Sequence, residues 1–187
     1  EAIGETTRRF RQLGLGYANL GALLMALGLP YDSDAGRAWA GSITALMTGA
    51  AYRTSARVAE RMGPYAGFED NRADQLRVLH QHRDALAGLS TLASSQAINA
   101  AAAEAWDEAI EPGERVGVRN AQATVLAPTG TISFMMDCDT TGVEPDFSLV
   151  KSKKLVGGGE ITIVNKTVPM ALGELGYAPS EGEEIVA

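Results

Sequence analysis

The chain has 187 residues, of which 45% are hydrophobic; this is the length of one ordinary domain with enough apolar side chains for a core. The formal net charge of -7 argues against non-specific binding to DNA or RNA, because neutralising a phosphate polymer requires a basic face. No apolar run reaches the roughly 18 to 20 residues that span a bilayer, and a single cysteine cannot form an internal disulfide, which favours a cytoplasmic setting.

The first third of the chain predicts a strand, a turn and two helices. Residues 13–16 are typical of the end of a short buried strand, and the leucines that follow recur at helical spacing up to a stop at Gly28. Ser33 or Asp34 can cap a long second helix, which we expect to end near Gly63.

The middle of the chain predicts two more helices and then a change to extended structure. Apolar spacing predicts helices over residues 72–86 and 94–110. Residues 111–113 read Glu-Pro-Gly and predict a break, after which residues 122–127 predict a strand. Because ligands of barrel-like α/β folds bind at the C-terminal ends of strands, this strand would place the turn that follows it at such an end.

The C-terminal part predicts a hairpin and a helix. Residues 149–156 and 161–164 predict two strands joined around three glycines, and residues 168–175 predict the start of another helix. All four lysines of the chain fall between Lys151 and Lys166. Alternation along a strand sends neighbouring lysines to opposite faces, so the pattern favours a solvated strand over a phosphate-binding cluster.

The turn after the predicted strand 122–127 has the composition of an anion-binding loop. It reads Ala-Pro-Thr-Gly-Thr-Ile-Ser over residues 127–133. Glycine lets a backbone approach a ligand closely, the N–H groups of such a turn can converge on an anion, and threonine hydroxyls add donors without burying a second charge. The alternative is a tight turn with ordinary capping threonines, and the short motif by itself leaves that alternative open.

Two other patterns are better explained by structure than by chemistry. Gly14 and Gly16 join the predicted strand to a helix, but a dinucleotide-binding motif would need a third glycine at the position of Asn19. His80 and His82 are two residues apart in a predicted helix and so lie on nearly opposite faces. We therefore expect surface or helix-packing histidines and no metal site.

The sequence closely resembles the adenosylcobalamin-dependent (class II) ribonucleotide reductases. The resemblance runs from residue 120 to 159, most clearly in NAQATVLAPTGT at residues 120–131 and LVKSKKLVGGG at residues 149–159. Independently, RQLGLGYANLG at residues 11–21 resembles the strand-to-helix segment in the second half of the family's catalytic barrel. Two separated matches in the expected order argue against coincidence.

The resemblance implies an α/β fold and a radical enzyme. By it, residues 1–187 form a fragment of a single catalytic domain, a ten-stranded α/β barrel, with a helix-rich segment at 1–110 and a strand and phosphate-loop segment at 111–187. The implied activity is that of a ribonucleoside-diphosphate reductase, which reduces ribonucleotides to 2′-deoxyribonucleotides through a thiyl radical. The implied cofactor is adenosylcobalamin.

The resemblance also assigns the candidate site residues. In the family, a Pro-Thr-Gly-Thr segment holds the substrate's diphosphate through backbone amides and hydroxyls, which on this chain implies Thr129, Gly130, Thr131 and Ile132. The family's radical and reducing cysteines lie upstream of the segment that residues 11–21 resemble. We therefore expect no catalytic residue in this chain, and we expect the chain by itself to fold poorly and to be inactive.

Two further residues of the same region have weaker assignments. Cys138 lacks the Asn-x-Cys-x-Glu context of the family's radical cysteine, so we expect it to shape the structure locally, with a secondary redox role as the alternative. Glu144 lies in a segment that resembles one returning towards the substrate pocket. Orienting neighbouring loops, contacting the cofactor side, capping a helix and forming a salt bridge all stay open for it.

The implied partners are a ribonucleoside diphosphate substrate and an external thiol reductant such as a thioredoxin-type protein. The resemblance further admits a homodimer for the longer protein, and it implies neither a nucleic-acid polymer nor a membrane as a partner. Two alternatives stay open: a related reductase that obtains its radical from a metal-containing partner subunit, and a non-catalytic helical interaction module. The long match through residues 137–159 favours the cobalamin type.

Overall fold

The structure is a computed structural model that describes residues 1–89, 92, 95–154 and 156–186. The chain divides into two compact units, each built from two separate stretches of sequence. The first unit comprises Glu1–Gly16 and Ala38–Val125, and the second comprises Tyr17–Arg37 and Leu126–Ala187.

Helices account for most of the first unit. They are α1 (Ala2–Phe10), α3 (Asp34–Met62, whose first turn belongs to the second unit), α4 (Phe68–Asp84), a 3-10 turn (Ala85–Gly88) and α5 (Gln96–Arg115). Local signals fix both ends of α3, as predicted: Ser33 Oγ accepts the backbone N–H of Gly36 at 3.0 Å, and Gly63 follows the helix with a φ of +77°. Position 94, where the fourth helix was predicted to begin, lies outside the described residues.

The core of the first unit is aromatic and closely packed. Trp106, Tyr65 and Phe68 are all at most 2% exposed, and the Tyr65 and Phe68 rings meet edge to face with centroids 5.5 Å apart. The indole N–H of Trp106 donates to the backbone carbonyl of Ala45 at 3.1 Å, so the buried ring keeps its polar atom paired. A side chain on Gly49 would lie 2.9 Å from this indole, which explains the small residue there.

The break predicted at residues 111–113 is wrong, because α5 continues through Pro112 to Arg115. Proline in a helix interior removes a hydrogen bond and is disfavoured. Here Pro112 and Gly113 are both buried, and a Cβ on Gly113 would lie 3.6 Å from Leu79 of α4. Packing against the neighbouring helix therefore outweighs the local preference.

The two strands predicted in the first unit are short extended segments that pair in parallel. Leu15 and Thr124 form a single bridge, flanked by hydrogen bonds such as Val125 N–H to the Leu15 carbonyl at 2.8 Å. Leu13 and Leu15 are 48% and 50% exposed, so the prediction of a buried strand at residues 13–16 is wrong for the described residues.

The second unit contains short helices and one hairpin. Its elements are α2 (Leu20–Ala26), α6 (Ile132–Met135), β1 (Val150–Lys154), β2 (Glu160–Val164), α7 (Val168–Glu174) and α8 (Pro179–Val186). The strands are antiparallel, with Ser152 opposite Thr162, and the three glycines between them all have φ near +97°. The predicted hairpin and the predicted helix after it are confirmed; position 155, in the first predicted strand, lies outside the described residues.

The described residues form one two-stranded sheet and one isolated parallel bridge. No closed barrel is present in the described ranges. The ten-stranded barrel implied by the resemblance therefore stays a prediction for the complete domain. Among these residues no helix is both long enough and apolar enough to cross a membrane.

Candidate functional site

The predicted anion loop is a tight turn held in an unusual backbone conformation. Thr129 has a φ of +52°, a left-handed conformation that β-branched residues rarely adopt. Its hydroxyl accepts the backbone N–H of Gly142 at 2.7 Å and lies 2.7 Å from the hydroxyl of Ser133. Ser133 is 1% exposed, and its own N–H donates to the Thr129 carbonyl at 2.9 Å. These bonds hold the turn in a conformation that would otherwise be costly.

The turn leaves backbone donors open at its outer side. Gly130, Thr131 and Ile132 are all exposed, and α6 begins at Ile132. Within the described residues, the N–H groups of Gly130 and Ile132 have no protein acceptor. A Cβ built on Gly130 would meet no atom within 4 Å, so the space next to this backbone is empty. An anion can therefore approach the backbone at this point.

The backbone of Gly142 lies directly against the turn. It has a φ of +49°, and a Cβ there would lie 2.9 Å from the carbonyl oxygen of Ala127 and 3.1 Å from that of Pro128. Both the conformation and the close approach require glycine. The turn at 127–129 thus rests directly on the backbone of residue 142.

The segment that carries Gly142 is in turn fixed to the start of α2. Thr140 is 1% exposed, and its backbone N–H donates to Asn19 Oδ1 at 3.0 Å. Its hydroxyl accepts the N–H of Ala22 at 3.1 Å. No local sequence pattern links Asn19 to a residue so far along the chain.

An ion pair and several hydrogen bonds join residues 137–139 to the residues after β2. Lys166 Nζ lies 2.8 Å from Asp137 Oδ1, and this hydrogen bond raises the pKa of the Lys166 ammonium. Asp139 accepts the backbone N–H of Lys166 at 3.0 Å and also the hydroxyl of Thr167. The acidic residues that follow the turn are therefore already engaged with the protein.

Lys151 corrects the prediction of a solvated lysine strand. Its ammonium lies 2.6 Å from Asp146 Oδ1, and the side chains of the pair are only 11% and 7% exposed. Asn165 donates to the other carboxylate oxygen of Asp146, and the Lys151 ammonium also donates to the carbonyl of Asp139. Alternation along the strand does not reveal what covers each face.

Cys138 and Glu144 occupy local positions beside the turn. The backbone N–H of Cys138 donates to the Ser133 carbonyl at 3.0 Å, and its Sγ lies 3.9 Å from the carbonyl of Met136. Glu144 Oε2 accepts the hydroxyl of Thr141 at 2.7 Å. Within the described residues Glu144 therefore closes a short turn with Thr141, and Cys138 lies against the end of α6.

The histidines pack between helices of the first unit, as predicted. His80 Nε2 lies 2.8 Å from Glu114 Oε1, and the His82 ring stacks on Trp106 with centroids 5.5 Å apart. In the part of the chain that the structure describes, no three metal-ligating side chains converge.

Comparison with known proteins gives one consistent family. A family model described as the ribonucleotide reductase barrel domain matches residues 1–187. The chain is 60% identical over 188 residues to a vitamin B12-dependent ribonucleotide reductase of Streptantibioticus cattleyicolor, covering 100% of this chain and 31% of that protein. It is 58% identical over 188 residues to one of Streptomyces coelicolor, covering 100% of this chain and 19% of that protein.

A more distant relative agrees. The chain is 33% identical over 155 residues to a vitamin B12-dependent ribonucleoside-diphosphate reductase of Mycobacterium tuberculosis, covering 83% of this chain and 17% of that protein. The chain thus spans less than a third of the length of these curated relatives. The family inferred from the resemblance at residues 11–21 and 120–159 is confirmed over the full length of the chain, which belongs to the ribonucleotide reductase barrel-domain family.

Proposed function

We propose that this chain is part of an adenosylcobalamin-dependent reductase that converts ribonucleotides to 2′-deoxyribonucleotides. The support comes from the family and from the names of relatives with 52% to 60% identity, which are vitamin B12-dependent ribonucleotide reductases. Because the chain spans a minor part of those proteins, the activity belongs to a longer polypeptide. The expected cytoplasmic location, homodimer and thioredoxin-type reductant stay predictions.

Within that enzyme, the turn at Thr129, Gly130, Thr131 and Ile132 would bind the phosphates of the substrate. One observation carries this proposal: Gly142 holds the strained turn, while Gly130 and Ile132 are exposed and their N–H groups have no protein acceptor among the described residues. Backbone N–H groups that converge in such a turn bind anions. The empty space at Gly130 admits an oxygen atom close to the backbone.

The residues of the site divide into ligands and supports. The Thr129 hydroxyl is engaged with Gly142 and Ser133, so its role is to hold the turn. The backbone of Gly130 and Ile132, with Thr131 between them, would contact the phosphate oxygens. Neutral donors suit this site, because two lysines near it in sequence, Lys151 and Lys166, are already paired with carboxylates.

The proposed contribution of this chain is binding and orientation. Fixing the phosphates fixes the distance of the ribose from the radical centre, and such positioning supplies a large part of catalysis in two-reactant sites. The cofactor would supply the radical chemistry elsewhere in the protein. Both histidines of this chain are engaged with other side chains of the first unit, His80 with Glu114 and His82 with Trp106, so neither is proposed as a ligand of the cofactor.

The substrate is proposed to be a ribonucleoside diphosphate. Its support is the expectation from the resemblance together with the printed name of the relative from Mycobacterium tuberculosis, a ribonucleoside-diphosphate reductase. Parallel assays with diphosphates and triphosphates test it, and a large preference for triphosphates would overturn the diphosphate assignment.

Replacing Gly130 tests the phosphate loop in the full-length protein. Since a side chain at this position meets no protein atom, Gly130→Val should leave the fold intact and fill the proposed phosphate position. We expect KM for the ribonucleotide to rise by about tenfold or more, because small displacements at a reacting site are costly. The matched control is Gly88→Val, an exposed glycine that also has no atom within 4 Å of its added Cβ.

Two results would contradict the proposal. An unchanged KM for Gly130→Val would remove the phosphate loop, and full activity of the purified protein without adenosylcobalamin would favour the reductase with a metal-containing partner subunit. Absence of any nucleotide reduction by the full-length protein, with the cofactor and a dithiol reductant present, would support the non-catalytic interaction module.

A further inference from the structure

The N-terminus of α2 is capped by a residue that is distant in sequence. Asn19 occupies the N-cap position, but its side chain makes no cap hydrogen bond. The N–H of Ala22, which such a side chain would normally bind, donates instead to Thr140 Oγ1 at 3.1 Å. In exchange, Asn19 Oδ1 accepts the backbone N–H of Thr140 at 3.0 Å. Asn19 thus holds the backbone of the residue that caps its own helix.

The backbone of Asn19 is suited to this arrangement. Its φ of +71° is left-handed, a conformation that asparagine tolerates better than most residues other than glycine. Two further contacts join this part of the chain to the segment 140–144. A Cβ on Gly21 would lie 2.7 Å from the carbonyl oxygen of Glu144, and the Tyr31 hydroxyl donates to the Val143 carbonyl at 2.6 Å. The segment 140–144 is therefore fixed along the start of α2.

A short path leads from Asn19 to the proposed phosphate loop. Thr140 stands two residues before Gly142, whose N–H donates to the Thr129 hydroxyl at 2.7 Å. Because Gly142 also lies against the carbonyls of Ala127 and Pro128, a shift of Thr140 would move the support of the turn.

We propose that Asn19 is a positioning residue for the substrate-phosphate loop, acting through Thr140 and Gly142 on Thr129. This inference rests on the proposed function of that loop. The proposed role of Asn19 is indirect: it sets the position and orientation of the turn whose N–H groups would meet the phosphate.

Two substitutions in the full-length protein separate the side chain from the backbone. Asn19→Gly keeps the left-handed conformation and removes the acceptor, whereas Asn19→Asp keeps an acceptor oxygen. We expect Asn19→Gly to raise KM for the ribonucleotide about tenfold, the effect of leaving one buried donor unpaired, and Asn19→Asp to restore most of the affinity. A role in backbone conformation alone predicts that Asn19→Gly behaves like the wild type, which would overturn the inference.

Hydrogen exchange in the same variants locates the effect. Asn19→Gly should speed exchange in peptides that cover 127–144 and leave peptides that cover 95–115 unchanged. Asn71→Ala is the control, because it also removes an amide side chain bonded to a backbone carbonyl, that of Gly67 at 2.8 Å. Equal acceleration in both regions, or in both variants, would indicate general destabilisation and overturn the inference.

A double variant tests the path itself. If Asn19 acts through Thr129, the KM of Asn19→Gly combined with Thr129→Val should match that of Thr129→Val alone, whereas independent effects would multiply and overturn the inference. The Gly130→Val result separates the two proposals. A raised KM for Gly130→Val with a normal KM for Asn19→Gly overturns only the positioning role; a normal KM for Gly130→Val overturns the loop function and the positioning role with it.

Discussion

The hydroxyl of Thr129 accepts the backbone N–H of Gly142 at 2.7 Å, and this bond joins two left-handed positions of the candidate site. It explains how a β-branched residue is kept at a φ of +52°. A turn held in this way presents its outer N–H groups before any ligand arrives, which reduces the ordering cost of binding.

Thr129→Val should loosen the turn, because valine has nearly the same volume as threonine but lacks the hydroxyl. The Gly142 N–H then loses its acceptor, a loss that costs about 1–3 kcal/mol when the group stays buried. We expect faster hydrogen exchange over residues 127–144 of the full-length protein and a raised KM for the ribonucleotide. Thr129→Ser retains the hydroxyl and is the control; equal exchange rates in the two variants would contradict the assigned bond.

Gly142→Ala should be more damaging than its small size suggests. The added Cβ meets the Ala127 carbonyl oxygen at 2.9 Å and forces alanine to a φ of +49°. Strain of this kind costs of order 1–3 kcal/mol. Gly173→Ala is the matched control, since this glycine lies in α7 with no atom within 4 Å and alanine favours a helix by about 1 kcal/mol.

Thermal unfolding of the full-length protein measures both glycine variants. The expected order of melting temperature places Gly142→Ala below the wild type and Gly173→Ala at or above it. If Gly142→Ala melts with the wild type, the close approach of residues 127 and 142 is not maintained in solution.

The sequence predicts elements of this fold where the controlling signal is local. Ser33 and Gly63 mark the two ends of α3, and each acts on its own helix within one turn. The break predicted at Pro112 failed because burial against α4 determines the conformation there. Local preference and packing point in opposite directions at that position, and only packing requires knowledge of the neighbour.

The candidate site shows the same division. The composition of residues 127–133 predicted the turn, because proline, glycine and small hydroxyl residues are typical of turns. The supports of the turn were missed, because Thr140 reaches Ala22 across 118 positions and neither residue belongs to a recognisable pattern. The burial of Lys151 was not predicted for a related reason. Period-2 alternation predicts which face of a strand a side chain occupies, but it does not predict that Asp146 lies against Lys151 on that face.

The ion pair of Lys151 and Asp146 should respond differently to single and double replacement. Removing one partner leaves a nearly buried charge unpaired, which costs about 3–5 kcal/mol, whereas replacing both with apolar residues of similar volume is often neutral. We therefore expect Lys151→Met to destabilise the region strongly and Lys151→Met with Asp146→Leu to recover part of the loss, because Asn165 then loses the Asp146 carboxylate as an acceptor.

Hydrogen exchange over peptides that cover 146–165 measures this pair. Lys154→Met is the control, because Lys154 is an exposed lysine of the same strand. Similar effects of Lys151→Met and Lys154→Met would show that the Lys151 pair is solvated and that the sequence-based prediction was right after all.

Tyr52 should make the stability of the first unit depend on alkaline pH. The side chain is 6% exposed, and burial raises the pKa of its phenol above the ordinary value of about 10. A raised pKa in the folded state means that the neutral phenol favours folding below the unfolded pKa, and that this contribution is lost as pH rises through the folded pKa. We expect the free energy of unfolding to fall more steeply above pH ~10 in the wild type than in Tyr52→Phe.

The ultraviolet absorbance of tyrosinate, compared between the two proteins, would report the titration of Tyr52. An ordinary titration near pH ~10 for the difference spectrum would show that the ring is hydrated in solution.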